Sequence, residues 1–100
     1  KINNNFEENT FEEVDYNEVA NIIKYRCGVC HANNPTYEGF EEPPLDIIFD
    51  TPQDIIKNIK GIKDQVIDSD VMPPGNITGI TETERTTLRV WIEKGANINN

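Results

Sequence analysis

One histidine, one methionine, one tryptophan and two cysteines are all that 100 residues contain of those types, and each scarcity narrows what the chain can do. Two cysteines and one histidine are three of the residues that bind zinc, with no second pair, which argues against a four-ligand structural zinc site. No stretch approaches the roughly 20 apolar residues of a spanning helix, so the chain is expected to be soluble as it stands. Basic residues are few: 9 Lys and Arg face 18 Asp and Glu, for a formal charge of −9. A chain of that sign does not suit the phosphate backbone, and nucleic acid is excluded as a partner. The charge suits a partner with a basic docking face, or it only keeps the chain dissolved, since the acids are spread along its length.

The scarce residues are concentrated. Arg26-Cys-Gly-Val-Cys-His31 uses both cysteines and the only histidine in a C-x-x-C-H element, the attachment signature of a c-type haem. Two thiols three residues apart on a helical turn face the same way, so both reach one rigid macrocycle while the next residue projects toward its metal. Cys27 and Cys30 are expected as the attachment residues and His31 as the proximal ligand. The only methionine, Met72, lies in Asp70-Val-Met-Pro-Pro-Gly-Asn76. The interval from His31 is long enough to pass round a flat cofactor and return on its far side, and a thioether is the ligand of cytochromes c. His31 and Met72 are therefore expected as the axial pair, with the prolines stiffening the methionine loop. The competing reading of Cys27 and Cys30 is a disulfide or a redox dithiol. That motif belongs after a strand in a βαβ unit, whereas the residues before Cys27 read as helix.

A chain of this length forms one small domain, and 36% hydrophobic residues give it a modest core that a buried porphyrin would enlarge. The pattern is all-α, with three to five helices expected around one covalent haem. Residues 1–14 are acidic and Asn-rich and read as a linker or N-terminal arm, 15–96 as the haem domain and 97–100 as a C-terminal tail. A first helix starts at Asp15, with Glu18 completing an N-cap pair and Tyr16, Val19, Ala20 and Ile23 at helical spacing. Residues 33–50, broken by Pro35, Gly39, Pro43 and Pro44, form a loop on the proximal side. A ligating imidazole donates its second N–H to an orienting acceptor, for which the carbonyl of Pro43 or Pro44 is the expected choice. Thr51, Pro52 and Asp54 start a second helix with Ile55, Ile56, Ile59, Ile62 and Val66 on its apolar side, divided or bent at Gly61. Thr81 and Glu84 make a capping box for the last helix, where Leu88, Trp91 and Ile92 form an apolar patch before Gly95. That helix is expected to pack on the first, with Trp91 in the core.

The ordered set of C-x-x-C-H, Met-Pro and a terminal Leu-x-x-Trp-Ile-x-x-Gly-Ala helix resembles class I type cytochromes c over about residues 15–96. Four stretches are most similar to the C-terminal cytochrome c domain of bacterial membrane-bound urate oxidases (urate hydroxylases): Cys27-Gly-Val-Cys-His-Ala-Asn-Asn-Pro-Thr36, Asp50-Thr-Pro-Gln-Asp-Ile55, Met72-Pro-Pro-Gly-Asn-Ile-Thr-Gly79 and Trp91-Ile-Glu-Lys-Gly-Ala96. The haem motif alone does not select this branch; the later stretches do. The resemblance implies a domain that accepts electrons from purine oxidation and passes them toward the respiratory chain, on the periplasmic side of the cytoplasmic membrane. It also implies that electrons pass through the haem edge near the thioethers. The expected partners are redox proteins, an electron donor domain and a terminal oxidase or another cytochrome, together with a parent membrane protein. Beginning at Lys1 with neither initiator Met nor signal peptide, the chain is expected to be a processed or excised piece. No apolar face outside the presumed core is left for self-association, so a monomer is expected.

With both axial positions filled by protein, the expected activity is one-electron transfer, and the domain is a carrier, not a catalyst. The alternative is a haem sensor or catalytic haem domain in which a small ligand such as carbon monoxide, nitric oxide or peroxide displaces Met72. Because the porphyrin is expected to complete the core, haem-free protein should be largely unfolded. Circular dichroism of the apo-protein checks this, and native-like helicity would contradict it.

Overall fold

A computed structural model describes residues 14–99; all but the last residue of the acidic arm, and Asn100, lie outside the described residues. All regular structure within them is helical. Helix α1 is Tyr16–Arg26, α2 is Pro52–Lys57, α3 is Ile59–Ile62, and α4 is Glu82–Glu93. A π-helical turn, Lys63–Ile67, continues α3. Short 3₁₀ turns at Pro44–Asp46 and Pro74–Asn76 punctuate the two long loops.

The helix starts follow local chemistry. The Asp15 carboxylate accepts from the Glu18 N–H at 3.1 Å, which satisfies a donor that has no partner inside the helix. Thr51 and Asp54 form a reciprocal capping box with Pro52 at the first helical position, and Thr81 and Glu84 form a second. The division of the middle helix falls at Asn58, not at Gly61. Asn58 leaves helical geometry (φ −105°, ψ 18°), and its side-chain amide donates to the Asp54 carbonyl at 2.9 Å, competing with the backbone ladder as a mid-helix Asn does. Gly61 stays helical, with open space where a Cβ would stand.

Val19, Ile23, Ile55, Ile62, Val66, Ile80, Leu88 and Trp91 form the core. Every helix contributes, and α1 packs on α4, with the Tyr16 and Trp91 rings 6.1 Å apart. The Trp91 indole donates to the Asn97 carbonyl at 3.0 Å, so its one polar group is paired inside the protein. Val14 and Ile98, just outside the helical region, also pack against this core. Ile56 points outward, 37% exposed, because as the neighbour of buried Ile55 it is turned about 100° away from that face.

The α4 cap gives a direct test. Replacing Thr81 by Ala should cost about 1 kcal/mol, and thermal denaturation of the haem-loaded protein should show a midpoint lower by about 4–8 °C.

Candidate haem site

Helix α1 ends where the C-x-x-C-H element begins. The Cys27 and Gly28 N–H groups both donate to the Ile23 carbonyl, at 2.9 and 2.7 Å. The Cys30 and His31 N–H groups then converge on the Cys27 carbonyl, at 3.2 and 2.9 Å. Residues 27–31 are thus one more tight turn, and Cys27, Cys30 and His31 occupy its i, i+3 and i+4 positions, which lie on one face. Gly28 permits the join: a Cβ there would lie 3.0 Å from the Lys24 carbonyl oxygen and 3.4 Å from the Lys24 Cα.

The imidazole of His31 is held from the following loop. Nδ1 lies 2.9 Å from the Ile47 carbonyl oxygen. A carbonyl only accepts, so Nδ1 is the donor, which in the neutral ring leaves the lone pair on Nε2, the tautomer that an iron-binding histidine requires. The acceptor is therefore Ile47, not Pro43 or Pro44. The two prolines act one step earlier, by building the turn in which Asp46 donates to Pro43 and Ile47 donates to Pro44, both at 3.1 Å. That turn aims the next carbonyl inward. Phe49 completes the cradle, its ring edge-on to His31 at 5.4 Å and its N–H donating to the His31 carbonyl at 2.7 Å.

Cys27 and Cys30 are free thiols. Burial pushes the Cys27 thiol up to about 12, the neighbouring Cys30 adds to the rise, and Arg85 opposes it. Burial also raises Cys30. Both are neutral thiols at physiological pH, whereas a thiol–disulfide exchange site depends on a lowered pKa. The element before Cys27 is a helix, not the strand that a thioredoxin-like site follows. Among the described residues, no three His, Cys, Asp or Glu side chains gather as a metal-binding group.

Met72 is half-buried and packs against the same core as Cys27. Its support comes from the end of the preceding helix. Four carbonyls at this helix terminus, where partners within the helix run out, find partners here. Lys63 accepts from Asp68 N–H at 2.8 Å, Asp64 from the Ser69 hydroxyl at 2.8 Å, and Gln65 from Met72 N–H at 2.9 Å. Val66 accepts from the Arg85 guanidinium, which also donates to the Met72 carbonyl at 3.3 Å. The far end of the methionine loop is closed by Asn76, whose side chain donates to the Ile80 carbonyl at 3.1 Å and accepts from the Ile80 N–H at 2.8 Å.

A second arginine joins that loop to α1. Arg26 donates from Nε and Nη2 to the two Glu84 carboxylate oxygens, at 3.0 and 3.2 Å, and from Nη1 to the Thr78 carbonyl. The Thr78 hydroxyl returns a bond to the Arg26 carbonyl at 2.7 Å. Arg26, Arg85, Thr78, Glu84 and Ile47 had no role in the motif-based reading beyond Glu84 as a cap. The available signal was Arg85 itself: it stands three residues before Leu88, a cation on the apolar stripe of α4.

A cleft of about 500 Å³ is lined by Tyr16, Ala20 and Lys24 of α1 with Val29, Phe49 and Ile55 among others. None of Cys27, Cys30, His31 and Met72 lines it. The residues fitted to a haem are the donor set itself: two thiols on one turn, an imidazole with its Nε2 lone pair free, and a thioether beside the same apolar core. His31 and Met72 rest on separate supports, the 47–49 segment for one and the Gln65–Arg85 pair for the other. No helix among the described residues is long and apolar enough to cross a membrane.

Burial pulls the Glu84 carboxyl up, but the bonds from Arg26 and Thr81 and the Arg26 charge outweigh it and hold the group below its ordinary value. A carboxyl lowered in the folded state stabilises above its unfolded value of about 4.3 and loses that contribution as pH falls through the folded value. Haem-loaded wild type should therefore exceed E84Q in denaturant midpoint near neutral pH, and the gap should close below about pH 4. A gap that is the same at both pH values would show that the carboxylate charge contributes nothing.

No family model, curated protein or solved structure matches this chain.

Proposed function

We propose that the chain is a single-haem c-type cytochrome domain of the all-α cytochrome c fold that carries one electron at a time. Cys27 and Cys30 would hold the porphyrin covalently, and His31 and Met72 would be the axial ligands. The observation that supports this most is the 27–31 turn, in which two neutral thiols and a histidine of the required tautomer stand at i, i+3 and i+4. When bound, the haem supplies a one-electron change between ferric and ferrous iron.

The chain's own residues supply orientation and closure. Ile47 fixes the His31 ring through Nδ1 and strengthens Nε2 as a donor. The buried prolyl ring of Pro73 and the half-buried Met72 keep water from the distal side, and the pinned Met72 backbone keeps a weak thioether ligand in place. A methionine ligand and a dry surrounding both disfavour the additional charge of ferric iron and raise the potential.

In the wider reading, resting on resemblance, the electron comes from an oxidising enzyme domain, with urate the upstream substrate, and goes to the respiratory chain. The domain would act on the periplasmic side of the membrane, within or beside a membrane-bound oxidoreductase, and its encounters with redox partners would be brief and small in area. The excess of acidic residues favours partners with basic faces.

The test is an absorption spectrum of purified protein, oxidised and reduced, with carbon monoxide added to the reduced form. The expected result is sharp low-spin bands, a far-red Met-to-iron charge-transfer band in the ferric state, and no response to carbon monoxide. M72A should lose the far-red band and bind carbon monoxide. A wild type that binds carbon monoxide readily would favour a sensor or catalytic haem domain, and absence of haem absorbance would return the cysteines to a dithiol role.

A further inference from the structure

Met72 has both of its backbone polar groups tied down: its N–H donates to Gln65 at 2.9 Å and its carbonyl accepts from Arg85 at 3.3 Å. The same Arg85 nitrogen donates to Val66 in the π-helical turn, so one guanidinium group joins the end of that turn to the methionine. The place of Arg85 along α4 is not free. Glu84, the preceding residue, is bound by Arg26, the last residue of α1, and accepts from Thr81 N–H at 3.0 Å in the cap. The first turn of α4 thus touches the C-x-x-C-H side through Glu84 and the methionine side through Arg85.

We propose that Arg85 is the positioning residue of Met72, and that the first turn of α4 sets the thioether against the C-x-x-C-H element by gripping both through adjacent side chains. This rests on Met72 being an axial ligand. The grip matters because a thioether binds iron weakly and is kept in place by its backbone; a chain that can move lets an added ligand compete. Arginine suits the position, since one planar group with several N–H donors serves two carbonyls at once. Lysine would keep the charge but not the same reach.

The experiment uses haem-loaded protein and imidazole as the competing ligand, added to ferric wild type, R85M, R85K and T51A. The readout is the imidazole concentration that abolishes half of the far-red Met-to-iron band. T51A loses the α2 cap, away from Met72, and reports what a loss of stability does without a change at the ligand. Loss of one hydrogen bond from a charged donor is expected to make R85M about tenfold or more easier to displace. R85K should fall between R85M and wild type, and T51A should match wild type despite its lower thermal midpoint. If R85M does not retain haem, the comparison of R85K with wild type carries the test. R85M and R85K titrating as wild type does, or T51A shifting as far as they do, overturns the proposal. A wild type with no far-red band overturns the Met72 assignment first, and the role of Arg85 with it.

Discussion

The junction of α1, α4 and the methionine loop depends on one guanidinium. Arg26 is the last residue of α1, and it holds the Glu84 carboxylate with two nitrogens and the Thr78 carbonyl with the third. Arg26 thereby ties α1 to α4 and to the loop before it, 58 and 52 residues further along the chain. The ion pair is partly exposed, with the two side chains 29% and 25% accessible, so its value is less in energy than in geometry: a bidentate fork admits one relative placement of its partners. Because Glu84 is also the reciprocal half of the α4 cap, the carboxylate that starts a helix is the one that docks it. Tertiary position and local helix start are therefore fixed by the same atoms.

The ligands and their supports use different kinds of structure. The residues proposed to touch a haem sit on irregular backbone: the turn after α1, and the proline-flanked loop after the π-helical turn. Of the residues that hold those segments, Arg26 and Arg85 sit on the regular helices α1 and α4, whose own positions come from a core of Val19, Ile23, Leu88 and Trp91, while Ile47 and Phe49 sit in the loop. The division follows from hydrogen bonding. Irregular backbone leaves carbonyls free to accept from His31 and from the two arginines, whereas a continuous helix has already committed its own.

What could be read from the residue order was whatever depends on three or four neighbouring positions. Asp15 with Glu18, Thr51 with Asp54 and Thr81 with Glu84 are contacts across three residues, and the 27–31 turn is equally local. The middle helix was misjudged at a single residue. Gly61 has the lower helix propensity, yet Asn58 breaks the ladder because its side chain competes for a specific carbonyl, an effect that rank order does not carry. The support for the site was out of reach for a different reason. Arg26 meets Glu84 across 58 residues and Thr78 across 52, and His31 meets Ile47 across 16. Local spacing carries no trace of such pairings. The residue order thus offers the candidate ligands, and not the scaffold that orients them.

The wide turn at Lys63–Ile67 makes the length of the middle helix a discrete quantity. Were the regular ladder extended by another turn, the Gln65 and Val66 carbonyls would be taken by N–H groups from their own helix, and Met72 and Arg85 would each lose an acceptor. Irregularity at that point is consequently a condition of the architecture, and a change that improved the helix there would dismantle the loop beyond it. Drift in this segment is confined to side chains that leave the turn open, so residue count between Ile62 and Met72 should be far less free to vary than residue identity.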